Sequence, residues 1–161
     1  MSESLSLKVG AKAPAFALPN QDGKTISLKD YQNRWLVLYF YPKDDTPGCT
    51  TEACDFTSGL KAFEKLNANV VGISPDSPAS HRKFIAKYKL TLPLLADEEK
   101  QVLPKYGAWG VKNMYGKEVE GVIRSTFLVD PEGRIAHTWY SVKVDGHADE
   151  VREKLTELAA K

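Results

Sequence analysis

Residues 35–41, Trp-Leu-Val-Leu-Tyr-Phe-Tyr, are apolar without a break and rich in β-formers. That is the pattern of a central strand covered on both faces. On either side the hydrophobic period switches between two and about 3.6 residues. Residues 15–18 and 24–28 flank Asn20-Gln21-Asp22-Gly23, which predicts an N-terminal β-hairpin around Asp-Gly. Downstream, Phe56, Leu60, Phe63 and Leu66 recur at helical spacing. A short strand over 70–73 follows, then a helix opened by Ser77-Pro78 and carrying Phe84, Ile85 and Tyr88. Residues 92–95 read as a short strand and 100–106 as a short helix. Residues 122–129 and 135–140 flank Asp130-Pro131-Glu132-Gly133, the signal of a second hairpin. Val151, Leu155 and Leu158 mark an amphipathic C-terminal helix. The order predicts an α/β chain: a mixed central β-sheet with helices on both faces. Proline and glycine fall singly, with no repeat or linker, so residues 1–161 are expected to form one domain.

Composition narrows the function classes. Apolar residues make up 42% and charged residues 27% of the 161, as in folded globular chains. Lys and Arg number 22 against 21 Asp and Glu, a formal charge of +1. No electrostatic footprint for nucleic acid or anionic lipid follows from that balance. The longest apolar run is too short to span a bilayer. MSESLSLKVG lacks a charged segment followed by an apolar one, so a cytoplasmic location is expected. Cys49 and Cys54 are too few for a disulfide framework or a structural zinc site. Two thiols this close in a reducing compartment point to redox chemistry.

The candidate chemistry lies where the best strand meets the best amphipathic helix, a junction at which open α/β sheets build sites. Thr46-Pro47 reads as an N-cap followed by proline at the first helical position, which places Cys49 third. Unpaired backbone N–H groups and the helix dipole there favour thiolate over thiol. The competing reading makes Cys49 a small buried hydrophobe, and Cys54 equally a core residue. Arg124, ahead of Phe127-Leu128-Val129, reads on residues alone as a solvated strand end or a functional cation. His81, His137 and His147 show no metal spacing and are expected at the surface. Asp44-Asp45 is expected to be a solvated loop pair.

Pro42-x-x-x-Thr46-x-x-Cys49 resembles the active-site signature of the peroxiredoxins. The longer stretch, Tyr41-Pro42 through Thr46-Pro47-Gly48-Cys49-Thr50 to Cys54, is similar to their bacterioferritin-comigratory-protein or Q-type subfamily. The likeness continues through Gly110-Val111-Lys112, Tyr115-Gly116-Lys117 and the segment from Arg124-Ser125-Thr126 to Gly133, and so covers nearly the whole chain. It implies a thioredoxin-like fold and thiol-dependent reduction of hydrogen peroxide and organic hydroperoxides. It also implies that Cys49 is peroxidatic and Cys54 resolving, with a Cys49–Cys54 disulfide reopened by thioredoxin or a similar dithiol. By the same resemblance Pro42 shields the pocket, while Thr46 and Arg124 hydrogen-bond thiolate and peroxide. A monomer is expected, with no metal, flavin or haem cofactor. Thr57 is a departure, since the subfamily often has arginine three residues after the resolving cysteine.

Lowering a thiol pKa from about 8.5 to about 6 raises the thiolate fraction at pH 7 about 30-fold. Nucleophilicity meanwhile falls about 15-fold for a Brønsted slope of about 0.5. The acceleration must then come chiefly from orienting the O–O bond and stabilising the departing oxygen. Two rivals stand beside this reading. A thiol–disulfide oxidoreductase usually carries Cys-x-x-Cys, whereas four residues intervene here. A non-catalytic thioredoxin-like redox sensor would use the same cysteines, and only turnover separates the two.

Overall fold

The computed structural model of the chain describes residues 7–160. The predicted N-terminal hairpin is present as β1 (Ala17–Pro19) and β2 (Thr25–Ser27), paired antiparallel. Gly23 sits at φ 78° in its turn, where a side chain would be strained. The continuous apolar run forms β3 (Trp35–Phe40). It is followed by α1 (Pro47–Ser58), α2 (Leu60–Lys65), β4 (Ala68–Ser74), α3 (Pro78–Tyr88), β5 (Leu94–Ala96) and α4 (Val102–Lys105). Then come β6 (Trp109–Met114), β7 (Lys117–Val122), β8 (Ser125–Val129), β9 (Ile135–Trp139) and α5 (His147–Ala159).

Five strands form the central sheet in the order β5-β4-β3-β8-β9. β3, β4 and β5 run parallel, β8 pairs antiparallel with β3, and β9 pairs antiparallel with β8, so the sheet is mixed as expected. β3 shows why its sequence is apolar throughout. Leu36, Leu38 and Phe40 enter one core, with Val102 and Leu103 of α4, Tyr106 just after it, and Phe16 beside the first hairpin. Val37, Tyr39 and Tyr41 enter the other, under Ala53 and Phe56 of α1, Phe63 of α2, Phe84 of α3, and Val151 and Leu155 of α5. Period-two alternation divides one strand between two cores.

Three expectations need correction. The helical spacing from Phe56 to Leu66 belongs to two helices, because the chain breaks at Gly59, a poor helix former. Residues 122–129 are not one strand: Ile123 and Arg124 lie outside β7 and β8. The Arg124 carbonyl instead accepts from the Val142 N–H, beyond β9. A β6–β7 hairpin over residues 109–122 also stands where no element was expected. Its turn holds Tyr115 and Gly116 at φ 54° and 80°, a conformation usually signalled by Asn-Gly.

Candidate active site

The loop from Tyr41 to Thr46 carries the chain from the end of β3 to the start of α1. Thr46 has the extended backbone of an N-cap, Pro47 opens the helix, and the Thr50 N–H closes the first helical bond onto the Thr46 carbonyl. Cys49 therefore occupies the third helical position, as predicted, and is 1% exposed. The Thr46 side chain departs from expectation. Its hydroxyl donates to the Lys43 carbonyl at 2.9 Å and caps no helical N–H, so in this structure its proton is not offered to sulfur. Tying the loop has taken the one proton that hydroxyl carries.

Arg124 comes from the break between β7 and β8. Its Nη2 donates to Cys49 Sγ at 3.2 Å and its Nη1 donates to Glu52 Oε1 at 2.6 Å. Gly48 makes room for this approach, since a Cβ there would lie 3.3 Å from Nη2. Glu52, one turn beyond Cys49, is 1% exposed, and its Oε2 has no hydrogen-bond partner among the described residues. Burial raises its pKa to about 7 and outweighs the opposing pull of Arg124. Burial works against the Arg124 charge too, yet Glu52 and Cys49 more than compensate and hold its proton tighter.

Of the residues singled out in sequence, the fold brings Cys49 and Arg124 into contact and places Thr46 and the half-buried Pro42 in the adjoining loop. Cys54 lies farther along α1, half-buried against the same core, and both cysteines are free thiols. Burial, and after it Asp55, push the Cys54 thiol above its ordinary range. Glu52 was missed, although a carboxylate three residues after a cysteine shares its helix face.

Two further expectations fail. His81 and His147 are buried, His81 against Asp44 and the Leu95 carbonyl, His147 against Thr126 Oγ1 at 2.8 Å. Asp44 is buried as well, so only Asp45 of that pair faces solvent.

The AhpC/TSA family profile matches residues 9–138. The chain belongs to the AhpC/TSA family. A Helicobacter pylori (strain J99) relative bearing the name bcp is 52% identical over 149 residues, 92% of this chain and 98% of that protein. Peroxiredoxin Bcp of Bacillus subtilis is 44% identical over 157 residues, 98% of this chain and all of the relative. Among solved structures, the Xanthomonas campestris bacterioferritin comigratory protein superposes with a TM-score of 0.88 at 42% identity. The match covers 94% of this chain and 99% of that one. The sheet and helices above are accordingly those of a thioredoxin-like peroxiredoxin fold. Within the AhpC/TSA family the chain groups with the Bcp-type peroxiredoxins and is a thiol-dependent peroxidase, an oxidoreductase. Among the described residues, no helix is long and apolar enough to cross a membrane.

Proposed function

We propose that Cys49 is the attacking thiol of this peroxidase, that Cys54 resolves it, and that Arg124 and the 42–46 loop shape the peroxide site. The observation that carries the assignment is the 3.2 Å hydrogen bond from Arg124 Nη2 to Cys49 Sγ, with no comparable cation at Cys54 among the described residues. The Cys49 thiolate attacks one peroxide oxygen, the O–O bond breaks, and the other oxygen leaves as hydroxide or alkoxide and is protonated. Negative charge thereby moves from sulfur to the departing oxygen. The guanidinium, planar and permanently charged, offers donors to both positions in turn. Pro42 closes one side of the pocket. Thr46 holds the loop shut through Lys43 and leaves its hydroxyl oxygen free to accept from a bound hydroperoxide.

The product is Cys49 sulfenic acid. Cys54 sulfur attacks it, the S–S bond forms, and water leaves. An external dithiol of the thioredoxin kind then reopens the disulfide by exchange. Two thiols and that reductant complete the cycle without a resident cofactor. Hydrogen peroxide and organic hydroperoxides both serve as substrates in this reading. The Xanthomonas campestris neighbour, described for its alkyl peroxide reduction activity, supports the second class. The chain acts as a monomeric single domain in the cytoplasm.

The test is turnover. Purified protein with a thioredoxin system should consume many equivalents of hydrogen peroxide per chain. A single stoichiometric oxidation followed by arrest would make it a redox sensor instead.

A further inference from the structure

The loop between β3 and α1 is held by α3, and two carboxylates make the attachment. Asp44 Oδ1 accepts from Tyr41 Oη at 2.6 Å, and its Oδ2 accepts from Ser80 Oγ at 2.8 Å. His81 Nδ1 lies 2.7 Å from that same Oδ2. The Asp44 backbone N–H donates to Asp76 Oδ2 at 2.8 Å, and Ser74 Oγ donates to that oxygen at 2.7 Å. Next to it Asp45, at φ 60°, accepts from Lys87 Nζ at 2.8 Å and Tyr88 Oη at 2.6 Å.

The chemistry of the His81 ring follows from its partners. Nε2 lies 2.9 Å from the Leu95 carbonyl, which can only accept, so Nε2 carries a proton. A second proton must lie between Nδ1 and Asp44 Oδ2, because two bare lone pairs at that distance would repel. Asp44, Asp76 and His81 also converge closely enough to suggest a metal site. The atoms that face one another are already hydrogen-bonded, so the cluster reads as a latch and not as a ligand set.

We propose that Asp44 and His81 are positioning residues for the thiol. They fasten the loop to α3 and set where α1 begins, so that Cys49 stays beside Arg124 for attack. Only the chain beyond Asp45 then opens for the disulfide step. This rests on the assignment of Cys49 as the attacking thiol. The latch acts oppositely on the two steps. Attack on peroxide uses the closed helix and is favoured, whereas condensation with Cys54 uses the opened helix and is restrained.

Asp44→Ala, Asp44→Asn and the milder Ser80→Ala separate this from general damage. Asparagine can accept from Tyr41 through Oδ1 and donate through Nδ2 to a neutral His81 Nδ1 and to Ser80 Oγ. It restores the geometry without the charge. Rapid quenching with mass spectrometry follows two rates after hydrogen peroxide is added: loss of the Cys49 thiol, and formation of the Cys49–Cys54 disulfide from the sulfenic acid. Asp44→Ala should slow the first about tenfold, as expected for lost charge-assisted hydrogen bonds, and speed the second several-fold. Ser80→Ala should shift both rates the same way by less, and Asp44→Asn should return both to within a few-fold of the parent. Parent-like rates in Asp44→Ala, a slowing of both steps, or no recovery in Asp44→Asn would each overturn the proposal. If Asp44→Ala does not fold, parent-like rates in Ser80→Ala would overturn it alone. Failure of the underlying assignment is visible separately, as first oxidation at Cys54 in the parent.

Discussion

Arg124 and Glu52 are bonded to each other inside the protein, and burial works against the charge of each, with different outcomes. The arginine must stay charged to serve the peroxide site, and its planar donor set cannot be copied by a point charge. Arg124→Lys should therefore cut the single-turnover rate with peroxide on the order of 10²-fold, the scale of losing an oxyanion donor. A rate within a few-fold of the parent would remove Arg124 from the mechanism. Glu52 behaves differently, because its pKa is raised from 4.5 to about 7, chiefly by burial. Between those values the folded chain binds a proton that the unfolded chain has released, so stability must fall as pH rises. Protonated Glu52 costs nothing below about pH 4.5, and the full penalty, ~3 kcal/mol, is present above about pH 7. His147 is shifted down, first by burial, and so costs stability on the acid side of its own range. Comparing parent with Glu52→Gln isolates the glutamate. Denaturant unfolding from pH 5 to pH 8 should show a decline in the parent that Glu52→Gln largely lacks. Parallel curves would contradict the shift.

Helix α1 carries the redox cycle, and its geometry constrains it. Five residues of regular helix span about 7.5 Å of rise and about 140° of rotation, which puts the two Cα atoms about 8.6 Å apart. A disulfide tolerates at most about 7 Å, so Cys49 and Cys54, both within α1, cannot join until the helix opens. Gly48 and the β-branched Thr50 and Thr51 weaken the first turns. Thr51 Oγ1 returns one bond to the Pro47 carbonyl. Opening also frees Cys54 from the burial that raises its thiol pKa. Hydrogen exchange should show residues 50–56 protected in the reduced protein and exposed in the disulfide form. Equal protection in both would mean that resolution follows another route. The start of α1 was legible because Thr-Pro and an apolar period mark it locally. The break at Gly59 was hidden, since Phe56 and Phe63 both face the core and keep the period running across it. The β6–β7 hairpin was hidden for another reason. Residues 117–120 of β7 are exposed on both faces, so no alternation exists to be read.

Across the whole molecule, what the sequence discloses depends on range. The sheet and its covering helices follow from the seven-residue apolar run 35–41 that holds β3 and requires two cores. Cys49 was legible from its place at a strand–helix junction, whereas Arg124 became a candidate only through the peroxiredoxin resemblance. Its contact with Cys49 spans 75 residues of chain and leaves no local trace. The Asp44–His81 pair, 37 residues apart, was misread as solvent-facing for the same reason: nothing near either residue signals a buried partner. Such pairs are set by topology, here by β4 and α3 packing beside the end of β3. The central claim is that one fold gives its two cysteines unequal work, attack at Cys49 and resolution at Cys54. A single-turnover comparison of Cys49→Ser and Cys54→Ser, each mixed with excess hydrogen peroxide and trapped for sulfenic acid, tests it most directly. Cys54→Ser should consume about one peroxide rapidly and stall as Cys49 sulfenic acid with thioredoxin as the only reductant, while Cys49→Ser should show no burst. Equal bursts from the two variants would contradict the account.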